Sequence, residues 1–192
     1  MDSLVQGALD AGADPADLLE HGLIAGMSVI GARFRANEIF VPEVLVAARA
    51  MKAGLALLDP IFAERGVPPA GKVVIGTVKG DIHDIGKNLV ATMLRGAGFQ
   101  VIDLGINVPA DKFCLAIEEH APDTVALSAL LTTTMPQMRT VIEAIRGRGF
   151  DTPVMVGGAP LSAQFARSIG AAAYGRTATD AVDIALGMVR SS

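Results

Sequence analysis

The chain has no tryptophan, one tyrosine and one cysteine among 192 residues. A lone cysteine, Cys114, cannot form an internal disulfide framework, which fits an expected cytoplasmic setting. Long apolar runs are missing as well. The longest stretches without Asp, Glu, Lys or Arg, 124–138 and 152–166, are fifteen residues each and contain proline or polar residues. A membrane-spanning helix needs about 20 apolar residues, so no membrane association is expected. A basic segment followed by an apolar one does not open the sequence, and no secretion signal is expected. Basic excess is absent too: the net charge is −4, which argues against a nucleic-acid partner.

What is present is aliphatic and small. Half of the chain is apolar, at 51%, enough to exclude a disordered polymer. With so few aromatics, Ala, Val, Leu, Ile and Met must supply the core. The 21 glycines exceed the usual share of about 7%.

Charge separates two parts. Residues 1–68 carry nine acidic and five basic side chains, and residues 69–192 carry eleven of each. The first part reads as helices only. Asp14-Pro15 is a helix start, with an acceptor at the N-cap and proline at the first helical position. Leu19, Leu23, Met27, Ile30 and Phe34 then form one apolar stripe, beside which Gly22 and Gly26 are expected to admit a neighbouring helix. A second helix starts at Pro42, carries Val44, Leu45, Ala48, Met51, Leu55 and Leu58 at helical spacing, and is expected to close at Pro60. With short helices before residue 12 and near 36–41, the expectation is a small bundle over 1–68.

Residues 66–71, Gly-Val-Pro-Pro-Ala-Gly, read as a linker. Beyond it, strand-like runs at Lys72–Val78, Gln100–Leu104, Thr124–Ser128, Pro153–Val156 and Ala171–Tyr174 alternate with helical segments. This rhythm predicts an α/β domain over 69–192, a flavodoxin-like (Rossmann-like) five-stranded parallel sheet in the order 2-1-3-4-5.

In such a sheet, ligands bind at the carboxyl ends of the strands where the winding reverses, here between strands 1 and 3. The loop after strand 1 holds Asp81, Ile82, His83, Asp84 and Gly86. The loop after strand 3 runs from Ser128 through Leu130 and Thr132 to Thr134, and strand 4 ends in Gly157-Gly158. Neither phosphate-loop motif, G-x-x-x-x-G-K-[ST] or G-x-G-x-x-G, is present. Three readings of the first loop remain open: a divalent-metal site from Asp81, His83 and Asp84; a purely structural loop, with Asp84 capping a helix; or a ligating imidazole at His83, oriented by Asp81 and completed by a hydroxyl.

Asp81-x-His83-x-x-Gly86, Ser128-x-Leu130 and Gly157-Gly158, separated by 41 and 26 residues, resemble the cobalamin-binding signature D-x-H-x-x-G…S-x-L…G-G. Gly26-Met27, Phe34, Glu38, Phe40-Val41-Pro42-Glu43 and Ala50-Met51-Lys52 likewise resemble the helical cap that precedes this domain in methionine synthase and in methyltransferase corrinoid proteins. The resemblance implies cobalamin bound base-off/His-on, with His83 as the lower ligand of cobalt, Asp81 bonded to His83 and Thr134 bonded to Asp81. Ser128 and Thr132 would line the channel for the nucleotide tail, and Gly86, Gly157 and Gly158 would leave it room. Phe34 and Val41 would cover the upper, methyl-bearing face. Three departures stand out: Val41 is smaller than the usual leucine, Ala32 replaces an acidic residue, and Tyr174–Thr179 departs in detail.

The function so implied is a one-carbon carrier, not an enzyme on its own, that cycles between a Co(I) corrinoid and methylcobalamin. A substrate-specific methyltransferase would load it from a methylamine, methanol, a methoxylated compound or a betaine. A second would pass the methyl to a thiol carrier or tetrahydrofolate, with a reductive-activation protein as a further partner. The alternatives are an adenosylcobalamin-binding mutase subunit and a cobalamin-dependent sensor. Cys114, His21, His120, Met27, Met51 and Met93 are expected to be packing or surface residues, with His21 and His120 lacking acidic partners.

Overall fold

The structure, a computed structural model, describes residues 2–65 and 68–189. The chain divides into two compact units, residues 1–69 with 95–98, and 70–94 with 99–192. Gly66 and Val67 of the expected linker lie outside the described residues, while Pro68, Pro69 and Ala70 are exposed and irregular.

The first unit is built from three helical rods. Helix α1 spans Asp2–Asp10. Asp14 caps the next rod, its carboxylate accepting from the Ala16 N–H, and Pro15 takes the first helical position as expected. That rod comprises α2 (Pro15–Asp17), a π-helical stretch (Leu18–Ile24) and α3 (Ala25–Arg35). The π stretch has no signature in the periodicity, because its wider turns still tolerate the spacing of Leu19, Leu23 and Met27. Helix α4 spans Val41–Arg65. Val5 of α1, Leu23 and Met27 of the second rod, and Met51, Leu58 and Phe62 of α4 form the shared core.

Four expectations for this unit need correction. The short helix expected near 36–41 does not form, since residues 36–40 are a turn and Val41 already belongs to α4. Asn37 adopts a left-handed φ of 57°, and Glu38 N–H bonds back to the Arg33 carbonyl at 2.9 Å, which closes α3. Pro60 does not end α4, since the buried Leu58 and Phe62 on either side hold the helix through the missing backbone bond. Leu45 is exposed. Gly22 and Gly26 have open space where a Cβ would stand; the close approach is at Gly54, whose Cβ would lie 2.9 Å from the Leu23 side chain.

The second unit is a five-stranded parallel sheet in the order β2-β1-β3-β4-β5, as the alternating pattern predicts. The strands are β1 (Lys72–Thr77), β2 (Gln100–Asp103), β3 (Thr124–Ser128), β4 (Val154–Gly157) and β5 (Ala173–Gly175). The connecting helices are α5 (Ile85–Gly96), α6 (Ala110–His120), α7 (Pro136–Gly147) and α8 (Ala163–Ser168), and α9 (Ala178–Val189) follows β5. Right-handed crossovers put α5 on one face and α6 to α8 on the other, because the chain reverses its direction across the sheet after β2.

One face meets α6 and α7 in a dense core that includes Val74, Val125, Phe113, Cys114, Met138 and Ile142; Cys114 is packing, as expected. On the opposite face, Ile75, Ala126 and Met155 stand in register across β1, β3 and β4. No helix among the described residues is long and apolar enough to cross a membrane.

A buried carboxylate beneath an apolar cavity

The site begins with Asp81, fully buried in the loop after β1. One carboxylate oxygen, Oδ1, accepts the His83 backbone N–H at 3.0 Å and lies 2.7 Å from His83 Nδ1. The other, Oδ2, accepts the Leu130 N–H at 2.8 Å, the Leu131 N–H at 3.3 Å and the Thr134 hydroxyl at 2.7 Å. Burial pushes the Asp81 carboxyl up, but the Leu130 and His83 N–H groups, the Thr134 hydroxyl and the His83 ring together hold it well below the usual carboxylate range. Asp81 is therefore an anion, which can only accept. Nδ1 of His83 must be the donor in this pair, so in the tautomer with one ring proton it is Nε2 that holds the lone pair.

Further contacts fix the loop. Thr77 Oγ1, at the end of β1, donates to the His83 carbonyl at 3.0 Å. Gly80 N–H donates to Asn107 Oδ1 at 2.7 Å, and Asn107 N–H donates to the Asp81 carbonyl at 2.9 Å. Lys87, almost fully buried, reaches Asp103 Oδ2 of β2 at 2.5 Å and Asn88 Oδ1 at 2.7 Å. Sequence reasoning missed Thr77, Lys87, Asp103 and Asn107. The only available signal was that Thr77 and Ser128 both end central strands, and they are register partners.

Beside His83 opens a cavity of about 530 Å³. Its floor is the register row Ile75, Ala126 and Met155, and α5 and α9 give Leu89, Val90, Ala178 and Ala181 to its walls. Of the expected site residues, Ile82, His83, Asp84, Gly86, Ser128, Leu130, Gly157 and Gly158 line it. Thr132 is exposed and lies outside the lining, while Asp81 and Thr134 sit buried beneath the loop. Gly86 faces open space. Gly158 has a different reason to be glycine: its φ is +142°, and a Cβ there would overlap the Ala129 carbonyl oxygen. Phe34, in the last turn of α3, and Val41, the first residue of α4, are half-buried in the helical unit.

The surface around the cavity is apolar. Ile82, Ile85, Ile106, Leu130 and Leu131, all on the carboxyl-edge loops or the start of α5, are large and exposed; such a patch marks a ligand surface. Asp84 precedes α5 and its carbonyl accepts the Asn88 N–H at 2.7 Å. Its carboxylate, however, accepts the Asn88 side-chain amide at 3.0 Å and not a backbone N–H of the first turn, so the expected side-chain cap is not formed. Among the described residues no group of three or more His, Cys, Asp or Glu side chains could hold a metal ion. The three-ligand metal reading therefore has no geometric support. A broad, flat ligand with one open coordination position fits better. It would take one nitrogen from Nε2, rest on the apolar rim and send an arm into the cavity. His21 and His120 do have acidic neighbours, Asp17 at 3.6 Å and Glu119 at 3.8 Å, contrary to expectation.

Comparison with known proteins identifies the family. Two family models described as B12 binding domain match residues 71–183 and 1–59. A trimethylamine corrinoid protein of Methanosarcina acetivorans is 47% identical over 180 residues, 92% of this chain and 83% of the relative. A corrinoid protein of Desulfitobacterium hafniense is 42% identical over 187 residues, 95% of this chain and 87% of the relative. In the crystal structure of the methanol:cobalamin methyltransferase complex of Methanosarcina barkeri, one chain superposes with a TM-score of 0.88 at 34% identity. That match covers 97% of this chain and 72% of the other. With family models matched along both units and relatives more than 40% identical over nine-tenths of its length, the chain belongs to the B12-binding corrinoid proteins of methyltransferase systems.

Proposed function

We propose that this chain is a methyl carrier that holds a corrinoid base-off/His-on, through Nε2 of His83, and works between two separate methyltransferases. When bound, the corrinoid supplies a cobalt centre that can take up and give up a methyl group. The observation that carries this reading is the pairing of His83 Nδ1 with the buried Asp81 beside an apolar cavity. Asp81 and Thr134 hold the imidazole in one tautomer and keep its free nitrogen directed away from the carboxylate. Ile82, Ile85, Leu130 and Leu131 provide the surface on which the ring rests. The cavity floor of Ile75, Ala126 and Met155 receives the displaced nucleotide tail, with Ser128 and Gly86 at its walls.

We assign to Phe34 and Val41 the shielding of the ring face away from His83. The methyl donor is a small C1 compound, and a methylamine or methanol is favoured by what the relatives are named for. Recognition of the donor belongs to the first methyltransferase. Delivery to a thiol carrier or to tetrahydrofolate belongs to the second, and a reductive-activation protein restores the reduced corrinoid. The mutase and sensor readings draw no support from these relatives.

Reconstitution with hydroxocobalamin followed by electron paramagnetic resonance of the Co(II) state tests the ligation. Nitrogen hyperfine splitting is expected in the wild type and should vanish in His83→Ala. Splitting that survives in His83→Ala would falsify the assignment of the lower ligand.

A further inference from the structure

The cavity has one wall whose chemistry differs from the rest. Arg176, in the turn between β5 and α9, lines it and is exposed. Among the described residues it has no carboxylate partner and no hydrogen-bond partner. The other charged groups at the cavity are already committed. Lys87 is neutralised by Asp103. Asp84, on the opposite wall, accepts from Asn88. Asp180, the nearest acid to Arg176 in the sequence, accepts the Thr177 N–H at 3.1 Å in the cap of α9, while Thr177 Oγ1 accepts the Asp180 N–H at 3.1 Å. An uncompensated guanidinium is therefore held at the side of an apolar cavity by a turn that is locked by its own capping box.

A guanidinium in that place is suited to a phosphate, to which it can donate two parallel N–H bonds. We propose that Arg176 pairs with the phosphodiester of the corrinoid's nucleotide tail, and so makes the protein select complete cobamides over corrinoids that lack the tail. This rests on the corrinoid reading of the cavity. The reading explains why a cationic side chain belongs at a cavity whose floor is aliphatic: the floor takes the flat base, and the arginine takes the one fixed charge of the arm. The role is one of binding and selection, with no part in the chemistry at cobalt.

The experiment compares two probes, aquocobalamin and diaquocobinamide, the second of which has no nucleotide or phosphodiester. Binding of each to the full chain is measured by calorimetric titration for wild type, Arg176→Ala and Arg176→Lys. A single charge-assisted contact at a partly solvated site is worth about tenfold in affinity. Arg176→Ala is thus expected to bind cobalamin about tenfold more weakly and cobinamide within twofold of wild type, and Arg176→Lys is expected to recover part of the loss. Raising the salt concentration should weaken cobalamin binding in the wild type more than in Arg176→Ala. If Arg176→Ala leaves cobalamin affinity unchanged, or weakens both corrinoids equally, the phosphate role is overturned while the carrier reading stands. A wild-type protein that binds neither corrinoid overturns both.

Discussion

The Asp81 carboxylate is the residue on which the site depends, and its behaviour follows from counting donors. Oδ1 faces two N–H groups of His83, and Oδ2 faces two backbone N–H groups and one hydroxyl. In Asp81→Asn one of those oxygens becomes an NH₂ that meets donors only, which leaves buried polar groups unpaired. The expected loss is about 2–3 kcal/mol in the free protein, read from urea unfolding. Thr134→Ala removes one donor of three from Oδ2 and is expected to cost about 1 kcal/mol, and Thr134→Ser should restore it.

The pH dependence has a definite sign. The folded-state ionisation of Asp81 lies below its unfolded value of about 3.9, so the unfolded chain takes up the proton first as pH falls. Its contribution is complete above that value and is lost as pH falls through the folded one. Wild-type stability should therefore rise more steeply from pH 3 to pH 5 than that of Asp81→Asn. Parallel curves would show that the carboxylate is not held as an anion by the fold.

Elements explain which glycines belong to the fold and which to the ligand, a distinction that sequence could not draw. Gly157-Gly158 reads naturally as room for a flat ligand. Yet Gly158 is required where β3 and β4 end: its φ of +142° and the Ala129 carbonyl exclude a side chain, and the Ala129 N–H donates to the Gly157 carbonyl at 3.3 Å. Gly158→Ala is expected to cost about 3 kcal/mol or more through backbone strain and overlap. Gly86, in the first turn of α5, faces open space at the cavity. Gly86→Leu should leave urea stability within about 1 kcal/mol of wild type, since leucine suits a helix better than glycine, yet reduce corrinoid uptake. Equal stability of Gly158→Ala and wild type would remove the fold-based reason.

The strand order and the facing loops were legible because alternation of short apolar runs with helical spacing fixes a parallel sheet, and that sheet has one switch point. The Asp81–His83–Thr134 arrangement was legible only through motif spacing. Asn107 and the Lys87–Asp103 pair were not, because their partners are 16 or more residues away in sequence. Thr77 was not, because its hydroxyl meets a backbone carbonyl, that of His83, which no motif marks. The helical unit was read less well where packing outweighed a local signal, as at Pro60, or where a left-handed residue intervened, as at Asn37.

At the scale of the whole molecule, composition and function meet in the cavity. The sequence is rich in glycine and alanine and nearly free of large aromatics, and the sheet unit uses that smallness on one face only. Across from the dense core of Phe113, Met138 and Ile142, Ala126, Ala178 and Ala181 leave a void of about 530 Å³ between α5 and α9. A fold selected for stability alone would fill such a space with larger side chains, since close packing is where native stability comes from. The void and the exposed rim of isoleucine and leucine are surfaces left for an occupant, so occupancy should register as stability. A ligand that binds only the folded chain adds RT ln(1 + [L]/Kd), about 2.7 kcal/mol at a hundredfold excess over Kd. Thermal unfolding followed by circular dichroism should therefore shift upward with cobalamin in steps that track concentration. At matched concentration the shift should shrink in His83→Ala, which lacks the ligating nitrogen, and in Gly86→Leu, whose cavity is partly filled. A wild-type midpoint that does not move at saturating cobalamin would mean that the cavity is a packing defect and not a binding site.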